Sequence, residues 1–230
     1  MKYVAFCDVL GFSNAVLNDF DASIVVYQEF KKKVLEWPLS SKAAVAVYSD
    51  SILVVSDDLP SVLHAVNALH WVSLVHDWLI RGGVAYGRYW QERDGENLLV
   101  VSDALVRAVA LEKSVKIPAV AISEEIILGI EAWVPRFQHG ILSAPLLFFD
   151  GRAIVNPFNR YWFASAVMRA KELLDKHANH REKYEWFLSL AKAVGQDDVL
   201  VPDSALAKML ELGILQDRAE LTPAGIHPPP

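Results

Sequence analysis

A chain of 230 residues, 53% hydrophobic and 22% charged, holds enough apolar material for one large domain, or a domain with an appendage, and excludes an intrinsically disordered protein. Its net charge of −6 supplies no global basic field for nucleic acid or anionic lipid, so a polyanion would have to be bound locally, through a metal. The single cysteine, Cys7, excludes an intramolecular disulfide and a thiolate-rich zinc centre, and suits a reducing compartment.

No run reaches the ~18–20 apolar residues that span a bilayer. The N-terminal run MKYVAFCDVLGF meets Asp8 without a small-residue cleavage site, so a cytoplasmic location is expected. Residues 2–8 are rich in aromatic and β-branched side chains and read as a strand. From 13 to 36, Val16, Leu17, Phe20, Ile24, Tyr27, Phe30, Val34 and Leu35 recur at helical spacing. Asn18, Asp19 and Asp21 are placed to split that helix, and Trp37-Pro38 stops it. Residues 43–49 and 51–56 are two strands with a tight junction at Asp50. Leu59-Pro60 opens a helix expected to run to about Ile80, broken by Arg81-Gly82-Gly83. Residues 84–90 form the next strand, and Arg93-Asp94-Gly95-Glu96 a turn.

Residues 98–101 add a strand, and 102–114 a helix capped by Ser102 or Asp103. A strand at 117–122 and a helix at 123–130 follow. Residues 146–155 read as a hairpin turning at Asp150-Gly151. Residues 160–177, 180–195 and 203–213 read as helices without a chemical motif, a cap or an oligomerisation element. The expected organisation is a core at 1–130 with a hairpin-and-helix extension at 131–230 packed on it.

The order β-α-β-β-α-β is the ferredoxin-like split β-α-β, an α+β fold, with spatial strand order 4-1-3-2. Strand one lies antiparallel beside strand three, so its end at Asp8 sits next to the turn at Asp50. Adjacent strands are ~4.8 Å apart. Two carboxylates on one sheet edge suit two divalent cations ~3.5–4 Å apart, the arrangement for in-line phosphoryl displacement. Hard oxygen ligands favour magnesium or manganese. Gly11-Phe12-Ser13 leads into the first helix, and its free N–H groups make a phosphate cradle at the same edge. Arg81 starts strand four at that end.

Each of these residues also has an ordinary role. Aspartate at a strand end or turn commonly caps or is solvated, and Gly82-Gly83 suits a helix C-cap. Cys7 alternates away from Asp8 and reads as core. His64, His70 and His76, six residues apart, do not share a helix face and form no metal cluster. His177 and His180 read as a solvated pair. The seven tryptophans read as core or interface rather than a base-stacking platform.

Phe6-Cys7-Asp8-Val9-Leu10-Gly11-Phe12-Ser13 resembles the F-x-D-I-x-G-F-S/T segment of class III nucleotidyl cyclases. Ser49-Asp50-Ser51 resembles their G-D-S hairpin, and Arg81-Gly82-Gly83-Val84-Ala85-Tyr86-Gly87 their R-x-G-I-x-x-G strand. Leu111-Glu112 and Pro118 to Ser123 resemble a later L-E…I-x-V-S stretch, so the likeness covers roughly residues 3–125. It departs where purine cyclases of this class carry a base-reading Lys or Glu, here Ala46, and an Asn and Arg for the transition state, here Val106 and Ala110. With both aspartates intact, the chain looks like the bacterial pyrimidine cyclases of Pycsar anti-phage systems.

The resemblance implies a ferredoxin-like class III cyclase core with extra strands and a helical extension. It implies conversion of CTP or UTP to the 3′,5′-cyclic nucleotide and pyrophosphate, a second messenger for a separate effector. Asp8 and Asp50, with the Val9 carbonyl, would hold two Mn2+ or Mg2+ ions. Gly11, Phe12 and Ser13 would hold the β- and γ-phosphates through the backbone, with Arg81 nearby. It also implies a head-to-tail homodimer with active sites between subunits, acting on neither nucleic acid nor membrane. Tyr48, two residues before Asp50 on the same strand, is expected to share its face and to contact a small base, or else to be a strand aromatic under a helix. Arg107 is the nearest stand-in for the missing arginine, with a surface role the more ordinary one. The alternatives are an inactive cyclase-like nucleotide sensor, a purine (adenylate) cyclase, and a palm-type polymerase relative, the last disfavoured by the acidic charge.

Overall fold

The computed structural model describes residues 1–36, 42–95, 97–127, 133–177, 180–199 and 201–213. Strand β1 (Lys2–Leu10) buries Ala5, Cys7 and Val9 on one face and Val4 on the other. That two-sided burial marks a central strand. Helices α1 (Phe12–Asn18) and α2 (Phe20–Glu36) are separated at Asp19, whose backbone is extended and whose side chain accepts the Ala22 N–H at 3.0 Å. The split expected there is therefore a capped helix start. Strands β2 (Ala44–Tyr48) and β3 (Ser51–Ser56) form a hairpin with Tyr48 opposite Ser51, so Ser49-Asp50 is the whole loop, with Ser49 left-handed (φ 53°).

Helix α3 (Leu59–Val75) starts at Asp58, which accepts the Ser61 N–H at 3.0 Å, with Pro60 in its first turn. It ends five residues before the expected Ile80. Asp77 is left-handed (φ 69°), and β4 (Leu79–Gly87) begins at once because Leu79 and Ile80 pair with Leu10 and Val9 of β1. Gly82 and Gly83 are thus strand residues, not a helix stop. A Cβ on Gly82 would lie 2.5 Å from the Phe6 carbonyl oxygen, and one on Gly83 2.5 Å from that of Ala108. The expected strand at 84–90 is divided at Arg88. β5 (Tyr89–Asp94) leaves the main sheet and pairs with β6 (Asn97–Ser102) as a separate two-stranded ribbon. Gly95 turns it with φ 61°; Glu96 lies outside the described residues.

Helix α4 (Asp103–Ser114) is capped by Ser102, which accepts the Leu105 N–H at 3.0 Å. β7 (Val120–Ile122) runs parallel to β4. α5 (Glu124–Ile127) occupies the start of the helix expected at 123–130, the rest of which lies outside the described residues. α6 (Val134–His139) and a 3₁₀ turn at Ile141–Ser143 are additional to the elements expected. β8 (Leu146–Phe149) and β9 (Arg152–Val155) form the expected hairpin with Asp150 and Gly151 both left-handed, as a two-residue hairpin turn requires. α7 (Phe163–Lys176), α8 (Arg181–Gly195) and α9 (Asp203–Glu211) complete the described chain.

The main sheet has the order β2-β3-β1-β4-β7-β9-β8. Its first four strands follow the expected ferredoxin-like arrangement, with β1 antiparallel to both β3 and β4. One face packs Cys7, Val9, Ile52, Val54 and Ile80 against α2 and α3. The other packs Val4, Leu53, Val55 and Ala85 against Ala104 and Ala108 of α4. A second core joins Leu74 and Leu79 to the apolar sides of α7 and α8. Asp77 anchors these helices: its carboxylate meets Arg169 and, at 2.8 Å, Lys176 of α7, while its carbonyl accepts Tyr184 Oη of α8 at 3.1 Å. Asn67 of α3 ties the segment after β9, donating to the Asn156 and Phe158 carbonyls at 2.6 and 3.0 Å.

Close packing at Gly83 is testable. Gly83→Val would drive a side chain into the backbone of α4, where nothing flexible can yield. The expected loss is about 1–3 kcal/mol, read as a lower denaturant midpoint, whereas Gly95→Ala, with open space around the Cβ position, suffers only its left-handed backbone.

Candidate metal and nucleotide site

Register brings the two aspartates to one edge. Asp8 is paired with Ser51 on β3 and with Arg81 on β4. One residue on, the Val9 N–H donates to the Asp50 carbonyl at 2.8 Å, stitching the end of β1 to the β2–β3 loop. Side-chain alternation puts Asp8 on the α4 face with Val4 and Phe6, and Cys7 on the other. There Cys7 is fully buried and burial pushes its thiol up to about 12, leaving it an inert core residue, as expected.

Arg81 lies between two carboxylates. Its Nη2 is 3.2 Å from Asp8 Oδ2 and its Nε is 2.7 Å from Glu112 Oε1 of α4. The second contact is an ion pair in which the N–H is not aimed at the oxygen. Glu112 is buried, 5% exposed, and the guanidinium is the charge that makes this tolerable. Burial raises the pKa of Asp8 most. Arg81 pulls it back down, and the negative charges of Asp50 and Glu112 raise it further. The Asp50 charge also raises the Tyr27 phenol on α2, after burial.

The Gly11 loop closes on Asp50. Gly11 is left-handed (φ 94°) and turns the chain from β1 into α1, where no side chain caps the helix. Ser13 Oγ donates to Asp50 Oδ2 at 2.7 Å. The Phe12 ring is buried 5.1 Å from Tyr27 and 5.5 Å from Trp78, centroid to centroid, so Phe12 offers a ligand only its backbone. The donor set fits a hard divalent cation: two carboxylates and a strand-end carbonyl are oxygen ligands. Among the described residues no group of three or more His, Cys, Asp or Glu side chains gathers. The remaining positions would fall to water and phosphate oxygens, the habit of magnesium.

Tyr48 stands differently from expectation. Asp50 belongs to the loop and not to β2, so strand alternation does not carry from one to the other. Tyr48 instead shares the α4 face with Ala46, which packs beside Phe6 and Leu53. It is 52% exposed and close enough to Tyr89 of β5 to raise that phenol's pKa, after burial. Arg107 is bound up locally: Nη2 donates to the Tyr86 carbonyl at 2.5 Å and meets Asp103 at 3.3 Å, while Nη1 meets Glu125 at 3.4 Å. Val106 and Ala110 lie exposed, one turn apart.

Three residues lie near this edge that the sequence did not place there. Glu112 carried a visible signal in the Leu111-Glu112 pair, but its partner Arg81 is 31 positions away and only the packing of α4 joins them. Lys183 and His180 carried none. Lys183 of α8 feels the charges of both Arg81 and Asp8, and burial with the Arg81 charge holds its pKa below the usual lysine range. A Cβ on Gly11 would lie 3.7 Å from His180 Nε2. The solvated His177–His180 pair expected from spacing is not found: His177 Nε2 is buried without a hydrogen bond, its ring stacked 6.2 Å from Tyr184. His64, His70 and His76 do not converge, and His70 is buried and held neutral, its pKa depressed to about 3 by burial.

Comparison with solved structures gives the same fold. A class III adenylyl cyclase-like ATP-binding protein from Pseudomonas aeruginosa superposes with a TM-score of 0.50 at 11% identity, over 72% of this chain and 40% of that one. The adenylyl cyclase CyaB from P. aeruginosa matches with a TM-score of 0.46 at 16% identity, over 54% of this chain and 76% of that one. The guanylyl cyclase Cya2 matches at 0.45 and 13%, over 55% and 76%. No family model and no curated protein sequence matches. The chain has the α+β fold of class III cyclases. Among the described residues no helix is long and apolar enough to cross a membrane.

The raised pKa of Asp8 fixes the sign of a stability test. Folded protein binds the Asp8 proton more tightly than unfolded chain, so this residue's contribution to stability falls as pH rises from the ordinary carboxylate value through the folded one. Above both, Asp8→Asn removes that penalty. Without divalent metal, the variant should melt no lower than the parent at pH 7, and its advantage should shrink as pH falls through the folded value of Asp8 to the ordinary carboxylate one, below which it is gone. Thermal melts across pH, with Asp57→Asn as an exposed control, check this.

Proposed function

We propose that this chain is a nucleotidyl cyclase acting on a pyrimidine nucleoside triphosphate. The observation that carries the proposal is the placement of Asp8 and Asp50 at one sheet edge, stitched by the Val9–Asp50 backbone bond and closed by Ser13. In the reaction the substrate's 3′-oxygen bonds to the α-phosphorus, the bond to the pyrophosphate oxygen breaks, and the 3′-hydroxyl proton leaves to solvent. Asp8, Asp50 and the Val9 carbonyl would hold two divalent cations, Mn2+ or Mg2+, which when bound lower the hydroxyl pKa and offset charge on the phosphoryl oxygens. Backbone N–H groups of Gly11, Phe12 and Ser13 hold the terminal phosphates. Arg81 favours the ionised form of Asp8 and orients it, while its own charge stays tied to Glu112.

Ala46 has no side chain able to hydrogen-bond a base, and Tyr48 on the same strand face narrows the space beside it, which favours a single-ring base. Trp90, Val101 and Val106 expose apolar surface on the β5–β6 ribbon and α4, a surface suited to a second copy. The functional unit is then a homodimer whose cyclic CMP or cyclic UMP signals to a separate effector in anti-phage defence. Two features favour a second reading, a nucleotide-binding sensor without turnover: Arg81 already engages Asp8, and Val106 and Ala110 stand where a transition-state pair is found in purine cyclases.

Incubation with each of the four nucleoside triphosphates and manganese, with mass identification of products, separates the readings. Cyclic CMP or cyclic UMP is expected, and Asp50→Asn should fold normally and form none. Cyclic AMP as the dominant product from an equimolar mixture would overturn the pyrimidine assignment, and binding without any product would leave the sensor. Tyr48→Ala should lower pyrimidine turnover about tenfold or more while leaving manganese affinity within about twofold, since a lost base contact is worth roughly 1–3 kcal/mol.

A further inference from the structure

We infer that Lys183 and His180, supplied by the C-terminal helices, bind the polyphosphate tail of the substrate. The inference rests on reading the Asp8–Asp50 edge as a nucleotide site. It adds to that site a cation that lies outside the βαββαβ core altogether.

The start of α8 is fixed in place by its neighbours. Tyr184 Oη donates to the Asp77 carbonyl, and the same phenol ring stacks on His177. Arg169 in the middle of α7 and Lys176 at its end hold that helix to the Asp77 carboxylate. Asp77 sits in the short turn before β4, and Leu79 and Ile80 of β4 flank Leu10 and Val9, the last residues before Gly11. The first turn of α8 is thereby set against the Gly11 loop, where His180 Nε2 stands 3.7 Å from the point a Gly11 Cβ would occupy. Lys183 follows three residues later, on the same side of the helix.

What distinguishes Lys183 from the exposed lysines is a charge that is both half-buried and uncommitted. Arg81 is shared between Asp8 and Glu112, Lys176 is on Asp77, and Lys208 is on Glu211. Lys183 is half-buried and, among the described residues, has neither an ion-pair partner nor a hydrogen bond, although it lies within the fields of Asp8 and Arg81. A partly desolvated ammonium without a counter-ion is unfavourable unless an anion completes it. Asp8 does not close on it, being held by Arg81. An ammonium on a four-carbon stem is a point-charge phosphate binder with no fixed geometry, and the anion that the neighbouring loop is shaped to receive is a phosphate chain. His180, with its pKa lowered by burial and by the Lys183 charge, donates a neutral ring N–H to the same anion.

The test uses the full chain with inorganic tripolyphosphate and Mn2+, followed by titration calorimetry. Wild type should bind, Lys183→Gln should weaken binding about tenfold or more, as a lost charge-assisted hydrogen bond implies, and Lys183→Arg should recover most of it. His180→Ala should weaken it several-fold. Binding of Mn2+ alone should not weaken in any of these variants. Wild type that fails to bind tripolyphosphate, or Lys183→Gln that binds it as wild type does, overturns the inference. If Lys183→Gln does not fold, Lys183→Met, which keeps the packed stem, carries the same measurement. The outcome is separable from the cyclase reading: a chain that cyclises no nucleotide but binds tripolyphosphate, and loses it on Lys183→Gln, leaves this site standing, and a Lys183→Gln enzyme with unchanged KM removes it while leaving cyclisation intact.

Discussion

Arg81 joins three parts of the molecule that are distant in sequence. Its guanidinium lies between the Asp8 carboxylate near the end of β1 and the buried carboxylate of α4. Removing Arg81 would leave Glu112 as an uncompensated buried anion, a change that typically costs several kcal/mol. The same guanidinium lets Asp8 be ionised in a half-buried setting where burial, Asp50 and Glu112 all oppose it. The fold of this edge and its capacity to hold cations therefore depend on one side chain. Gly82 and Gly83 beside it make the arrangement possible, because β1 and α4 could not come so close to β4 past a Cβ.

The parts of this design that could be read from the sequence are those written in local pattern. Asp19 divides two helices because a short polar side chain at a helix start can replace a missing backbone partner. Asp150-Gly151 makes a hairpin because both positions need left-handed backbone. Strand order follows from the order of elements, and it places Asp8 near Asp50. Cys7 followed from alternation alone.

What could not be read depends on tertiary packing. The apolar run before Arg81 is equally compatible with a helix end and a strand start, and pairing with Leu10 and Val9 decides for the strand. The glycines at 82 and 83 look like a helix stop until the backbones on either side of them are in place. Tyr48 and Asp50 are two residues apart, but alternation applies only within a strand, and the hairpin turns between them. Glu112 and Lys183 reach the site through the docking of α4 and α8, and no spacing rule connects them to Asp8.

β9 hydrogen-bonds to β7 within the sheet that contains β1, so the open edges of that sheet are β2 and β8. An unpaired edge is a template for another chain. Here the two edges are both short, five residues in β2 and four in β8, and β8 carries Phe148, partly covered by the first core, and Phe149, partly covered by the second. A chain ending after β7 would instead present the side of β7 that β9 now occupies, with Ala121, Ile122 and Val120 on a strand meant to be interior. During synthesis that surface exists until β9 emerges, starting 30 residues later, from Ile122 to Arg152. The interval is a window for misassociation with a neighbouring nascent chain, which closes only when residues with no part in the chemistry have been made.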